Sequence, residues 1–440
     1  MNHFLRLFLV VLFFISVPVL AALKIDVSGA KTDPIPVALP DFSVQDIQLQ
    51  DMAKKITQVV KKDLESSGLF RVVDQDAYLQ TFLSLQDKPN FSDWQILNAQ
   101  GLIQGEVTRN PNGDLKVSFL LWDIYTTNQL MPQRNLNANE KKWRKLAHIV
   151  SDTIYERMTG DTGYFDSKIA FVSESGKPNK RKRRLAVMDL DGENLQFLTS
   201  DKDIVMTPRF SPNAKEITYM SYKSGEPKVY LMNLQTGESS LVGQFKGMSF
   251  APRFSPDGKK LIMSLAEKGN SEIYVYDIDK KQQKKLTTHP AIDTSPSFSK
   301  DGKNIVFNSD RGGTQQLYVM DANGENVHRI SYGEGTYATP VWSPRGDYIA
   351  FTKIKNGTFY IGLMRPDGSG ERLIAEGFLV EGPTWSPNGR FLAFGRQEKS
   401  SRSNQSGNPQ IYSIDVTGYN ERIFKTPKEA SDPAWSPLLH

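Results

Sequence analysis

The sequence predicts a small N-terminal α/β domain followed by an all-β six-bladed β-propeller closed by its C-terminal strand. Two observations carry this. First, a short motif recurs: Pro208-Arg209-Phe210-Ser211-Pro212-Asn213, Ala251-Pro252-Arg253-Phe254-Ser255-Pro256-Asp257-Gly258, Pro296-Ser297-Phe298-Ser299-Lys300-Asp301-Gly302, Pro340-Val341-Trp342-Ser343-Pro344-Arg345-Gly346, Pro383-Thr384-Trp385-Ser386-Pro387-Asn388-Gly389 and the truncated Pro433-Ala434-Trp435-Ser436-Pro437. Its aromatic positions, 210, 254, 298, 342, 385 and 435, are spaced by 44, 44, 44, 43 and 50 residues, and a period in the forties marks a solenoid or a propeller. Second, residues 22 to about 160 show no such period and carry helical and strand patterns instead.

Within each unit an aromatic ends a short strand and Ser-Pro-Asp-Gly makes a tight turn, with Pro presetting φ and Gly accepting positive φ. A second strand such as Lys260–Leu265 follows, then an alternating third such as Ile273–Asp277, a polar hairpin such as Ala322-Asn323-Gly324, and a fourth strand such as Val327–Ile330. Four strands per unit describe a propeller blade. The third strand recurs six times, at Leu185–Asp189, Val229–Asn233, Ile273–Asp277, Leu317–Asp321, Phe359–Leu363 and Ile411–Asp415. The first unit, from about Lys168, lacks the aromatic strand, and the C-terminal copy lacks the rest of a blade. Joining the two leaves no unpaired edge.

In chain order, residues 1–21 read as a signal peptide. His3 and Arg6 precede an apolar run from Leu7 to Val17, Pro18 breaks it, and Val19-Leu20-Ala21 offers small residues for cleavage after Ala21. The run is shorter than the roughly 20 residues of a membrane span. No Cys follows it, and zero cysteines in 440 residues exclude disulfide and thiolate chemistry.

Residues 22–160 form the N-terminal domain. Leu23, Ile25 and Val27 alternate, Ile35–Pro40 suits a buried strand, and Asp46–Ser66 has helical spacing with Gly68 past its end. Phe70–Val73 is a strand, and Ser92-Asp93-Trp94-Gln95 reads as a capping box opening a second helix that ends by Gly101. Asn110-Pro111-Asn112-Gly113 joins strands Gly101–Thr108 and Asp114–Tyr125. A last helix, about Glu140 to Met158, is capped by Gly160, and Asp161–Asp166 would be a hinge into the propeller, residues 161–440.

The net charge of +5 is mild, and the basic cluster Lys177–Arg184 between two first-blade strands reads as a solvated hairpin, with attraction to anionic envelope surfaces as the alternative and no nucleic-acid partner expected. Five scattered histidines give no paired metal spacing, and there is no nucleophile elbow or phosphate loop, so neither catalytic set, metal nor cofactor is expected. Asp189-Leu190-Asp191-Gly192-Glu193-Asn194 has the look of a partial calcium loop, but lacks the Glu at the twelfth position, and turn chemistry accounts for it. What remains is a surface: the channel mouth, lined by Ile204–Pro208, Met248–Pro252, Asp293–Pro296, Tyr337–Pro340, Val380–Pro383 and Ser431–Pro433, with each Pro holding its loop extended into the following strand. An enzyme or lectin working in the channel is the competing class. It needs inward-pointing clustered carboxylates or histidines, and Asp293, Glu381 and Asp432 lie on separate blades.

With Ser67-Gly68-Leu69-Phe70-Arg71-Val72, Ile103-Gln104-Gly105-Glu106-Val107-Thr108 and the closing Pro433–Pro437, the whole chain resembles the TolB family of the Tol-Pal envelope system. The resemblance implies a non-enzymatic periplasmic protein that binds the lipoprotein Pal through the propeller mouth and the inner-membrane protein TolA through its mature N-terminal segment. It also implies peripheral contact with the envelope and with other outer-membrane proteins, and a role in outer-membrane integrity and constriction at cell division. Carried over by position, the Pal-contacting residues are Met248, where the family pattern has a histidine, Ala251 and Thr294. The TolA-contacting segment is Ala22-Leu23-Lys24-Ile25-Asp26-Val27, which lacks the family's acidic start, and runs on to about Asp33. If that segment packs on its own protein or extends to a partner, its order is coupled reciprocally to the mouth.

Overall fold

The computed structural model describes residues 33–80, 84–176, 180–399 and 407–440. Residues 1–21, read above as a signal peptide, and the segment Ala22–Val27 lie outside the described residues. The N-terminal domain is a mixed sheet of β1 (Ile35–Ala38), β2 (Ser43–Val44), β3 (Phe70–Val72), β4 (Gly101–Arg109), β5 (Leu115–Asp123) and β6 (Gln129–Ala138). The order is β3-β1-β4-β5-β6, with β1 parallel to β3 and β4, β2 parallel to β4, and β5 antiparallel to both β4 and β6. Period-two alternation in β4 decides what covers each face. Ile103 and Val107 meet the apolar stripes of α1 (Gln50–Ser66) and α3 (Trp143–Thr159), whereas Leu102 turns to Tyr78, Phe91 and Trp94 on the other side.

Three sequence expectations change here. The second helix, α2, spans only Phe91–Gln95, and Ser92 lies inside it, so there is no capping box. Phe91 and Trp94, three residues apart, must share its buried face, which starts the turn at Phe91, and the left-handed Asn98 ends the segment well before Gly101. β6 is an extra strand: it is an edge with mostly exposed polar residues, so no hydrophobic alternation marks it. The supposed hinge is instead a buried clamp. Tyr164 and Phe165 are in the core, and the Asp152 carboxylate accepts the Phe165 and Asp166 N–H groups at 2.6 and 2.9 Å. A side chain at Gly163 would strike that carboxylate.

The propeller has six four-stranded antiparallel blades. Blade 1 is built from both ends of the domain: Glu429–Trp435 is its innermost strand, paired antiparallel to Lys168–Ser175 with Trp435 opposite Ile169, followed outward by Lys182–Asp189 and Gln196–Phe197. Blades 2 to 6 begin with inner strands Val205–Phe210, Met248–Phe254, Asp293–Phe298, Thr336–Trp342 and Leu379–Trp385. The Ser-Pro-Asp-Gly turn works as a small hydrogen-bonded unit. The Ser255 hydroxyl donates to Asp257 and accepts the Lys260 N–H (3.0 Å), Asp257 accepts the Lys259 N–H (3.1 Å), and Gly258 takes φ +72°. The aromatics wedge between blades: the Trp385 indole donates across to the Val341 carbonyl at 3.0 Å.

Each inner strand also has a bulge at its Pro. The pairing register shifts there in all six blades, and the residue before Pro is left-handed: Thr207, Ala251, Ser295, Thr339, Gly382 and Asp432, with φ between +46° and +67°. The Pro-terminated stretches are therefore halves of the inner strands themselves, not loops extended up to Pro. The Pro N has no hydrogen to give the ladder, so the bulge falls where pairing is already broken.

The N-terminal domain seats on the turns of blades 5, 6 and 1 at the far end of the inner strands. Arg345 pairs with Asp161 at 3.0 Å, Asn388 donates to the Thr162 carbonyl at 2.8 Å, and Asn420 and Arg422 donate to the carbonyls of Ser67 and Glu65 at 2.6 and 2.7 Å. One continuous core runs through α1, α3, Phe165, Ile169, Phe391 and Trp435.

Two stability effects follow. Trp435→Ala, which removes a buried wedge at the closure, is expected to lower unfolding free energy by about 3–5 kcal/mol in a urea titration. A side chain at Gly382 meets open space, so Gly382→Val tests the backbone alone; a loss of about 1–2 kcal/mol is expected from forcing a β-branched residue left-handed.

Candidate interaction surface

The inner strands run from the free face of the ring towards the face that carries the N-terminal domain. Their far ends converge on a cavity of about 380 Å³ lined by Arg253, Phe254, Trp342, Trp385 and Trp435 among others. Their near ends form the mouth. Here the structure places the three sequence-derived contact residues together on two neighbouring blades. Met248 opens the inner strand of blade 3 and is 44% exposed. Ala251 is the left-handed residue of the same strand's bulge. Thr294 is the second residue of the blade 4 inner strand, and its hydroxyl oxygen accepts the Asn308 side-chain N–H at 2.7 Å; Asn308 also donates to Gln315 at 2.6 Å. Next to Thr294, buried Asp293 is held by Arg311 at 2.7 Å, and the Arg311 guanidinium stacks near Phe307 and Tyr318. The blade 4 part of the rim is thus a fixed polar lattice.

Sequence reading missed the exposed apolar residues around this mouth. Ile204, Ile292, Tyr332 and Phe378 sit just ahead of inner strands, alongside Met248, and Tyr222 lies in the turn between the second and third strands of blade 2. Positions 204, 248 and 292 share the 44-residue period of the aromatics, which is the signal that marks them. Exposed apolar residues grouped on one rim are what a protein-binding surface presents.

Charge inside the channel is divided. Arg209 and Arg253 come from adjacent blades; burial lowers both, and Arg209 lowers Arg253 further. On the other side burial raises both Glu381 and Asp432; the Asp432 carboxylate raises Glu381 further, while Arg209 partly relieves Asp432. Asp293 is committed to Arg311, so the three carboxylates singled out in the sequence do not meet. Among the described residues, the group of His, Asp and Glu close enough to share a cation is His148, Asp189 and Asp191, outside the channel.

The basic cluster is a hairpin of blade 1. Arg181 bridges Glu174 and Glu429 at 2.7 and 3.1 Å, Lys182 meets Asp201 at 2.6 Å, and Arg184 stacks on Phe197; residues 177–179 lie outside the described residues. Burial would raise Glu174, but the Ser431 hydroxyl and Arg181 hold it below the usual carboxylate range. These charges therefore knit the closing strand to its neighbours.

Residues 23–130 match the family model of the TolB amino-terminal domain, and residues 155–439 match the TolB beta propeller domain. The chain is 60% identical over 422 residues to the Tol-Pal system protein TolB of Paramagnetospirillum magneticum, covering 96% of this chain and 94% of that protein. Its fold resembles the crystal structure of TolB from Acinetobacter baumannii with a TM-score of 0.81 at 27% identity, over 92% of this chain and 97% of that one. A repeat-built propeller closed through its C-terminus, joined to this N-terminal domain and matched along nearly its whole length, belongs to the TolB family.

Proposed function

We propose that this protein is the TolB component of a Tol-Pal envelope system, acting in the periplasm as a non-enzymatic adaptor. It binds the lipoprotein Pal at the propeller mouth through Met248, Ala251 and Thr294, and TolA through the segment beginning Ala22-Leu23-Lys24-Ile25-Asp26-Val27. In that role it supports outer-membrane integrity and constriction at division. The observation that carries the reading is the mouth itself: an apolar rim on rigid strands, on the face of the ring opposite the N-terminal domain's seat. The left-handed residues before Pro fix the backbone at the depth where a partner would insert, so binding loses little to ordering.

The direct test uses tagged mature protein, residues 22–440, as bait in detergent-solubilised envelopes. Wild type is expected to recover a Pal-class lipoprotein, and Met248→Asp, at an exposed position, to weaken binding to purified Pal at least tenfold, as is Thr294→Arg. Equal recovery by all three baits would move the interface off this rim. Deleting residues 22–33 is expected to abolish capture of TolA and to change Pal affinity; an unchanged Pal affinity would show the two sites to be independent.

A further inference from the structure

We propose that His148, Asp189 and Asp191 form a divalent-cation site at the joint between the two domains, suited to zinc or a related first-row ion. His148 comes from α3, and the two carboxylates come from the end of the third strand of blade 1 and its Asp-Gly turn. One donor atom from each lies within 4.8 Å of the others.

The histidine is the reason to read this as a site and not as an acidic turn. His148 is only 3% exposed, and its Nδ1 meets the Asp63 carboxylate at 2.7 Å, which also accepts the Ser151 hydroxyl at 2.8 Å. A carboxylate that takes the Nδ1 proton's hydrogen bond turns the lone pair of the neutral ring to Nε2, the arrangement that orients imidazole towards a metal. Nε2 is sealed from solvent without a hydrogen-bond partner. It stands 3.9 Å from Asp191 Oδ2, too far for a hydrogen bond. Two donors bound tetrahedrally at about 2.1 Å stand roughly 3.4 Å apart, so a small inward shift closes this pair on a cation.

The charge around the donors sets limits on the ion. Arg144 lies 3.3 Å from Asp191 Oδ2, Lys168 pairs with Asp189, and Asn194 donates to Asp189 at 2.6 Å. Each carboxylate oxygen has more than one lone pair, so these contacts leave room for a metal while moderating its affinity. One nitrogen and two oxygens without thiolate favour zinc, cobalt or manganese over calcium, which takes oxygens alone. A cleft of about 390 Å³, lined by Asp63, Arg144, Asp191 and Arg422 among others, reaches the Asp191 side of the site.

Chelator-treated full-length mature protein, residues 22–440, should bind one equivalent of Zn2+ in equilibrium dialysis, and Co2+ should give the visible bands of a four- or five-coordinate ion. Zn2+ should raise the thermal unfolding midpoint over chelator. His148→Gln and Asp191→Asn should each weaken uptake at least tenfold and abolish the cobalt bands, whereas Glu193→Gln should change neither. If His148→Gln does not fold, Asp191→Asn, on a surface turn, decides. Uptake unaltered by Asp191→Asn, no uptake by wild type, or a stability loss identical in Zn2+ and in chelator would overturn the proposal and leave a joint held by ion pairs alone.

Discussion

A propeller made from one chain has a single seam, and in this protein everything else depends on how that seam is closed. Blade 1 has no inner strand until Glu429–Trp435 arrives from the far end of the sequence. Without it the inner edge of Lys168–Ser175 would expose a row of unpaired amides and carbonyls. The same few residues also tie the two domains. The Trp435 indole donates to the Ser167 hydroxyl at 2.9 Å and packs against Tyr164 and Phe424, and the Leu439 carbonyl accepts Lys145 from α3 at 2.8 Å. Loss of the seam would therefore open the ring and loosen the N-terminal domain together.

The closed ring divides labour between its faces. At the domain-bearing face, the repeated Ser-Pro-Asp-Gly turns are short and nearly identical, because each must fit its neighbour; a Cβ on Gly258 or Gly302 would touch Pro212 or Pro256 of the preceding turn. At the mouth, residues ahead of the inner strands are not bound by that stacking and differ from blade to blade. Six left-handed residues before Pro hold the strands below them in one shape, although five bear side chains that disfavour it. A ring that over-determines its own backbone sustains that strain, and the result is a stiff platform under a variable rim.

Much of this was legible because a repeat reports its own architecture. The period, blade count and seam followed from where Phe and Trp fall, and α1 followed from helical spacing ended by Gly68. The failures have local causes. β6 is an edge strand with little to bury, α2 is defined by two aromatics sharing a face and not by its Ser, and Tyr164 and Phe165 gave the linker an apolar character that a hinge would lack. The left-handed residues before Pro were invisible, since Thr, Ala and Ser there argue for extended backbone. His148 looked isolated because the carboxylates near it lie some forty residues further on, across a domain boundary that only the fold brings together.

The joint bears on how the two ends of such a molecule communicate. Domains in one chain usually meet through modest polar interfaces and move relative to each other. Here the core passes without a break from Leu64 and Tyr155 to Phe391 and Trp435, and the connecting segment is buried between them. The His148 group adds a buried polar contact there, with the Asp63 carboxylate taking both His148 Nδ1 at 2.7 Å and the Ser151 hydroxyl at 2.8 Å. A swinging domain is a poor carrier for a signal through such a joint. Coupling between the N-terminal segment and the mouth would instead have to act through whether that segment is ordered against the body, with the propeller as the fixed surface against which its order is set.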